Sequence, residues 1–159
     1  MSGSSQRAIR QAVVEALYES ETSDHDTARA LDRRLEFGAE EVAELGEGKF
    51  QRRAHRMLEG VLQSQDEADE YIQRAAPQYP LDTMAIIDRN ILRLAIWELL
   101  ADSTAPVAAV VNEAVELARR YGGDTSPSFV NGVLRTVSEQ IAASRSATEQ
   151  RPGRESESN

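Results

Sequence analysis

The sequence predicts an all-α protein of six to seven helices, folded as two small packed helical bundles. Two observations carry that expectation. Apolar residues recur at helical spacing over most of 6–142, and the two-residue alternation of a half-buried strand is almost absent. A chain of 159 residues has room for one domain, or for two small lobes sharing a core.

Residues 1–5 read as a flexible N-terminal arm. From Gln6 to Tyr18, the residues Ile9, Val13, Ala16 and Leu17 fall on one helix face. A second helix is expected at about 26–37, carrying Leu31, Leu35 and Phe37. After the break Gly46-Glu47-Gly48, a stripe runs through Phe50, Ala54, Met57, Leu58, Val61 and Leu62. Asp66 begins a short helix bearing Tyr71 and Ile72, which Pro77 and Pro80 end. That proline pair is read as the seam between lobes of about 6–76 and 81–143.

Residues 83–101 are apolar around most of the helix circumference, the mark of a central, buried helix. Ser103 or Thr104 is expected to cap the next helix, with Pro106 in its first turn and Gly122 closing it as a C′ glycine. Ser126-Pro127 reads as the N-cap and first residue of a helix through Phe129, Val130, Val133, Leu134, Val137 and Ile141. The domain is expected to end near 143, because residues 144–159 lack an apolar anchor and read as a disordered tail. Glycine inside a helix costs about 1 kcal/mol relative to alanine. Gly132 is therefore expected at a close helix crossing, with Asn112 and Asn131 buried and tying neighbouring backbones.

Composition narrows the function. With 18 basic and 27 acidic residues the net charge is −9, and residues 19–70 alone carry −8. Such a surface disfavours sequence-blind binding to long duplexes, so any RNA contact needs its cations gathered locally. There is no cysteine, and the only histidines, His25 and His55, lie thirty positions apart. No metal centre or other cofactor is therefore expected. No window approaches a membrane span, and the opening residues lack a charged n-region and a long apolar h-region. A cytoplasmic domain is expected.

Catalytic motifs are missing as well. Gly46-Glu47-Gly48-Lys49 imitates the end of a phosphate-binding loop, but Ala43 and Phe50 stand where glycine and Ser or Thr are needed. The acids at 40, 41, 44 and 47, and at 66, 67, 69 and 70, lie in polar stretches and read as solvated faces. The expectation is a protein that is not an enzyme.

The second lobe carries a resemblance. Ile87-Asp88-Arg89-Asn90-Ile91-Leu92-Arg93-Leu94-Ala95-Ile96-Trp97-Glu98-Leu99 resembles the "DRaiLRlAlyEL" signature of the NusB family. Val111-Asn112-Glu113-Ala114-Val115-Glu116-Leu117-Ala118 is similar to its "viNEAvelA", and Ser126-Pro127-Ser128-Phe129-Val130-Asn131-Gly132-Val133-Leu134 to its "spkFVNGvL". Arg10 with Ala16-Leu17-Tyr18 fits "R…ALY", and Leu58-Glu59-Gly60-Val61 fits "l..GV".

The resemblance implies an RNA-binding adapter in transcription antitermination and ribosomal RNA synthesis. Its partner would be NusE, a small-subunit ribosomal protein, and its ligand single-stranded boxA RNA. NusA, NusG and RNA polymerase would complete a processive complex. Carried over by position, the implied RNA contacts are Arg7, Arg10, Tyr18 and Phe129, with Asp88 on the partner or RNA surface. The sequence departs from the family pattern in placing Ser4, Ser5 and Gln6 before Arg7, and Ser128 where a lysine is frequent. The rival expectation is a homodimerising relative whose RNA face is blocked or weakened.

Overall fold

The computed structural model describes residues 3–38 and 48–150. Among these lie seven α-helices and no strand. They are α1 (Gly3–Ser23), α2 (Thr27–Gly38), α3 (Lys49–Gln63), α4 (Gln65–Ala75), α5 (Ile86–Ala101), α6 (Val107–Tyr121) and α7 (Ser126–Gln150), with a 3-10 turn at Leu81–Thr83. The acids at 40, 41, 44 and 47, the Gly46-Glu47 pair, residues 1–2 and 151–159, and the side chain of Phe37 lie outside the described residues.

The apolar stripes become the core. Ile9, Val13, Ala16 and Leu17 of α1 are buried, as are Phe50, Ala54, Met57, Leu58 and Val61 of α3. Leu62 is an exception at 44% exposed, because it sits on the outer edge of that stripe. The central helix is buried over most of its circumference, from Asn90 to Ile96 and again at Leu99.

The bundles divide at a different place from the proline pair. Helix α4 packs against α5 and α7 more than against α3, so α1–α3 form one bundle and α4–α7 the other. The break is Ser64, whose N–H and Oγ both donate to the Gly60 carbonyl, at 3.0 and 2.8 Å. Pro77 and Pro80 end α4 but sit inside the second bundle's loop. A proline reports where a helix stops, not which neighbour that helix packs on.

Both ends of the chain are more helical than expected. Helix α1 begins at Gly3, and Ser5 is buried, so residues 3–5 belong to the helix and not to an arm. Helix α7 continues past 143 to Gln150. Arg145 Nη2 donates to the Leu99 carbonyl at 2.9 Å, holding the added turns against the open end of α5.

Glycine and asparagine roles are exchanged relative to expectation. Gly132 has no neighbour near its missing Cβ and is exposed, and Asn112 is exposed, with Asn131 only half-buried. Nothing in the structure explains Gly132. The close crossing is at Gly60, where a Cβ would stand 2.1 Å from Trp97 Nε1, and the fully buried amide is Asn90. Gly122 ends α6 at φ −92°, not left-handed as a C′ glycine would be; a Cβ there would meet Ser126 at 2.5 Å. Pro106 itself stands at the N-cap of α6, while Thr104 bonds Asp102. Gly60→Ala is expected to cost about 1–3 kcal/mol by displacing Trp97. Chemical denaturation followed by tryptophan fluorescence measures both the loss and the displaced ring.

Candidate nucleic-acid interface

Helix α1 runs antiparallel to α5, since Arg10 near its start meets Glu98 and Glu21 near its end meets Arg89. The site residues nominated by sequence therefore divide between two ends. Arg7 and Tyr18 are eleven residues apart, about 16 Å along the helix.

At the first end the arginines are engaged. Arg7 forks onto Glu113 of α6, with Nε to Oε2 at 3.2 Å and Nη2 to Oε1 at 2.9 Å. Arg10 Nε donates to Glu98 Oε1 at 2.7 Å, with the side chains only 14% and 11% exposed. Burial pushes the Glu98 carboxyl up from its ordinary range, and Arg10 offsets only part of that. The hydrogen bond from Arg7 holds Glu113 below the ordinary range, and the same pairing raises Arg7. Arg7 keeps an exposed flank; Arg10 is chiefly a link between α1 and α5. Beside them opens a groove of about 660 Å³, lined by Arg10, Arg53, Arg56, Met57, Trp97 and Val110.

The second end gathers rings. Tyr18 is 45% exposed, one turn before Glu21, whose Oε2 accepts from Arg89 Nη2 at 2.5 Å. Arg89 Nη1 donates to the Leu81 carbonyl at 2.9 Å, which fixes the loop after α4. Tyr79 in that loop meets Phe129 of α7 edge-to-face, with centroids 5.4 Å apart at 75°. Phe129 is half-buried and Tyr79 is 50% exposed, so the pair has one side in the core and one in solvent. Asp88, in the first turn of α5, is buried rather than surface-lying, which corrects its expected place. Its Oδ1 and both amide atoms of Asn90 lack a partner among the described residues.

The structure thus pairs Tyr79 with Phe129, and ties Arg89 to Glu21 of α1 and to the Leu81 carbonyl of the loop that carries Tyr79, while Arg7 and Arg10 meet acids at the other end of α5 and on α6. Sequence reasoning missed Tyr79. The available signal was an aromatic residue between Pro77 and Pro80, where no helical stripe can claim it for the core. Among the described residues no group of three or more His, Cys, Asp or Glu could hold a metal. No helix there is long and apolar enough to cross a membrane.

A three-helix and a four-helix bundle packed through the buried helix α5, with the Tyr79–Phe129 pair near its start and the Arg10–Glu98 pair near its end, define an all-α domain of one recognisable class. The family model described as NusB matches residues 7–139. The transcription antitermination protein NusB of Chloroflexus aggregans is 38% identical, over 92% of this chain and 95% of its own length. That of Roseiflexus castenholzii is 40% identical, over 81% of this chain and 88% of its own. The solved NusB of T. maritima superposes with a TM-score of 0.73 at 32% identity, covering 84% of this chain and 90% of that one. A chain from the crystal structure of antitermination factors NusB and NusE in complex with dsRNA shares the fold, with a TM-score of 0.72 at 19% identity. It covers 87% of this chain and 99% of that one. The chain belongs to the NusB family.

Proposed function

We propose that the protein is a non-catalytic RNA-binding adapter of transcription antitermination and ribosomal RNA synthesis. It pairs with NusE, grips single-stranded boxA-like RNA and helps load NusA, NusG and RNA polymerase into a processive complex. The observation that carries this reading is the half-exposed Tyr79–Phe129 pair, with Arg89 bonded to the loop that carries Tyr79 and to Glu21, one turn after the exposed Tyr18. Single-stranded RNA is bound by bases stacking on aromatic rings while cations hold its phosphates. The −8 of residues 19–70 suits a basic ribosomal partner, whose charge steers association.

Anisotropy of a labelled boxA-like RNA tests this reading with and without NusE. Binding is expected to be tighter with NusE than with either protein alone; equal affinity overturns the cooperative adapter. Phe129→Leu keeps apolar bulk but removes the ring face. It is expected to weaken the complex by about 1–3 kcal/mol while leaving the salt dependence of binding unchanged. A thermal melt of the variant confirms that the loss is not one of folding. A second reading, a homodimer with a weakened RNA face, is favoured by the engagement of Arg7 and Arg10 with Glu113 and Glu98. A monomer mass at micromolar concentration excludes it.

A further inference from the structure

Arg7, Arg10, Arg89 and Arg93 each hold a carboxylate. Helix α3 differs. Its residues Lys49, Arg52, Arg53 and Arg56 are exposed, stand at i, i+3, i+4 and i+7, and enter no ion pair among the described residues. They form a cationic stripe about 10 Å long on one side of the helix. In a chain of net charge −9, four cations on a single helix face, unpaired among the described residues, are a local inversion of sign.

The stripe also borders a recess. Arg53 and Arg56 line the 660 Å³ groove together with Trp97, and Met57 and Val110 supply apolar wall. Two of the three acids facing that groove are paired with arginines, and the third, Asp102, is hydrogen-bonded to Thr104. Glu98 holds Arg10, Glu113 holds Arg7, and Asp102 accepts from Thr104 N–H and Oγ1 at 2.8 and 2.6 Å. Beside the Trp97 indole, the Arg53 and Arg56 guanidinium groups have no carboxylate partner among the described residues.

We propose that the α3 stripe and the Trp97 groove form a second RNA subsite, which takes nucleotides flanking those held by Tyr18 and Phe129. The inference rests on the RNA-binding reading above and extends it. Phosphates meet Arg53 and Arg56, and a base enters the groove against Trp97, the combination of charge and stacking that single strands use. An acidic protein segment would use the stripe but leave the indole-lined recess without a purpose. Arg10 lies on the groove wall, so the subsite is continuous with α1.

The test compares a short boxA-like RNA with one extended by several nucleotides on both sides, over a salt series, using wild type and R53Q/R56Q. Both substituted side chains are exposed, so the fold is expected to survive; a melt verifies it. The wild type is expected to bind the extended RNA more tightly. The variant is expected to lose that gain while keeping its affinity for the short RNA. Two lost phosphate contacts reduce the salt slope by about 1.4, so its affinity falls about 7-fold less between 50 and 200 mM salt. Trp97 is the only tryptophan of the chain, and its quenching by the extended RNA, not by the short one, reports entry into the groove. An unchanged gain and slope in the variant overturn the subsite while the adapter reading stands. Quenching by polyglutamate that the substitutions abolish, with RNA binding untouched, assigns the groove to an acidic protein instead. Absence of RNA binding by the wild type with NusE removes both readings together.

Discussion

Arg10→Ala is expected to destabilise the fold by about 3–5 kcal/mol, because it strands a buried carboxylate rather than merely removing a cation. Arg10 and Glu98 are 14% and 11% exposed, and their 2.7 Å hydrogen bond joins α1 to α5. Without the guanidinium, Glu98 keeps its burial and loses its offset. The sign with pH follows. Burial already raises the folded-state carboxyl above its ordinary value, and removing Arg10 raises it further. Stability linked to Glu98 is complete below the ordinary carboxylate value and falls as pH rises through the raised one. The deficit of Arg10→Ala is therefore expected to be larger at pH 7.5 than at pH 4.5 in urea denaturation. Glu98→Gln in the same chain should recover much of it at pH 7.5. A deficit independent of pH, unaffected by Glu98→Gln, would show that the pair does not hold α1 to α5.

Glu113 works in the opposite sense. Arg7 depresses its folded-state value, so its contribution is present above the ordinary carboxylate value and fades as pH falls through the depressed one. With Arg7 56% exposed, that contribution is small. The contrast also governs how RNA measurements are read. Arg7→Ala tests the proposed phosphate contact directly, whereas a binding defect in Arg10→Ala must first be separated from the loss of the α1–α5 link.

Local order was legible where one helix's own periodicity decides it. Ile9, Val13, Ala16 and Leu17 had to share a buried face whatever they packed on, and so did Val130, Val133, Leu134 and Val137. Partners far along the chain were not legible. Arg7 and Glu113 stand 106 positions apart, and Arg10 and Glu98 stand 88 apart. Sequence spacing names both pairs as charged residues and cannot say that they meet. The same limit exchanged the glycines. Gly60 and Gly132 both interrupt helices, but only the crossing of α3 over Trp97 makes the first one necessary. The aromatic end was half legible, since Phe129 came with its motif while Tyr79 depended on the fold of a loop.

Arg93→Ala is expected to be the other severe loss, again about 3–5 kcal/mol, and for a reason that spans both bundles. Its fork meets Asp69 of α4 at both oxygens, Nε to Oδ1 at 2.8 Å and Nη2 to Oδ2 at 2.9 Å. Nη1 lies 3.6 Å from Glu21 of α1. Arg93 is 9% exposed and Asp69 19%, so little water can replace the guanidinium. One side chain on the central helix thus holds α4 within its bundle and faces α1 of the other. At about 2–4 °C per kcal/mol for a chain of this size, the melting temperature should fall by about 6–20 °C. Arg93→Lys keeps the charge but loses the planar fork, and should recover only part of the loss. Replacing Arg93 and Asp69 together by Met and Leu should cost less than Arg93→Ala alone, since it leaves no unpaired charge at Asp69's position. Should Arg93→Ala melt within a degree or two of wild type, the Arg93–Asp69 fork is incidental to stability, and the seam rests on apolar packing with the Arg10–Glu98 and Arg89–Glu21 pairs.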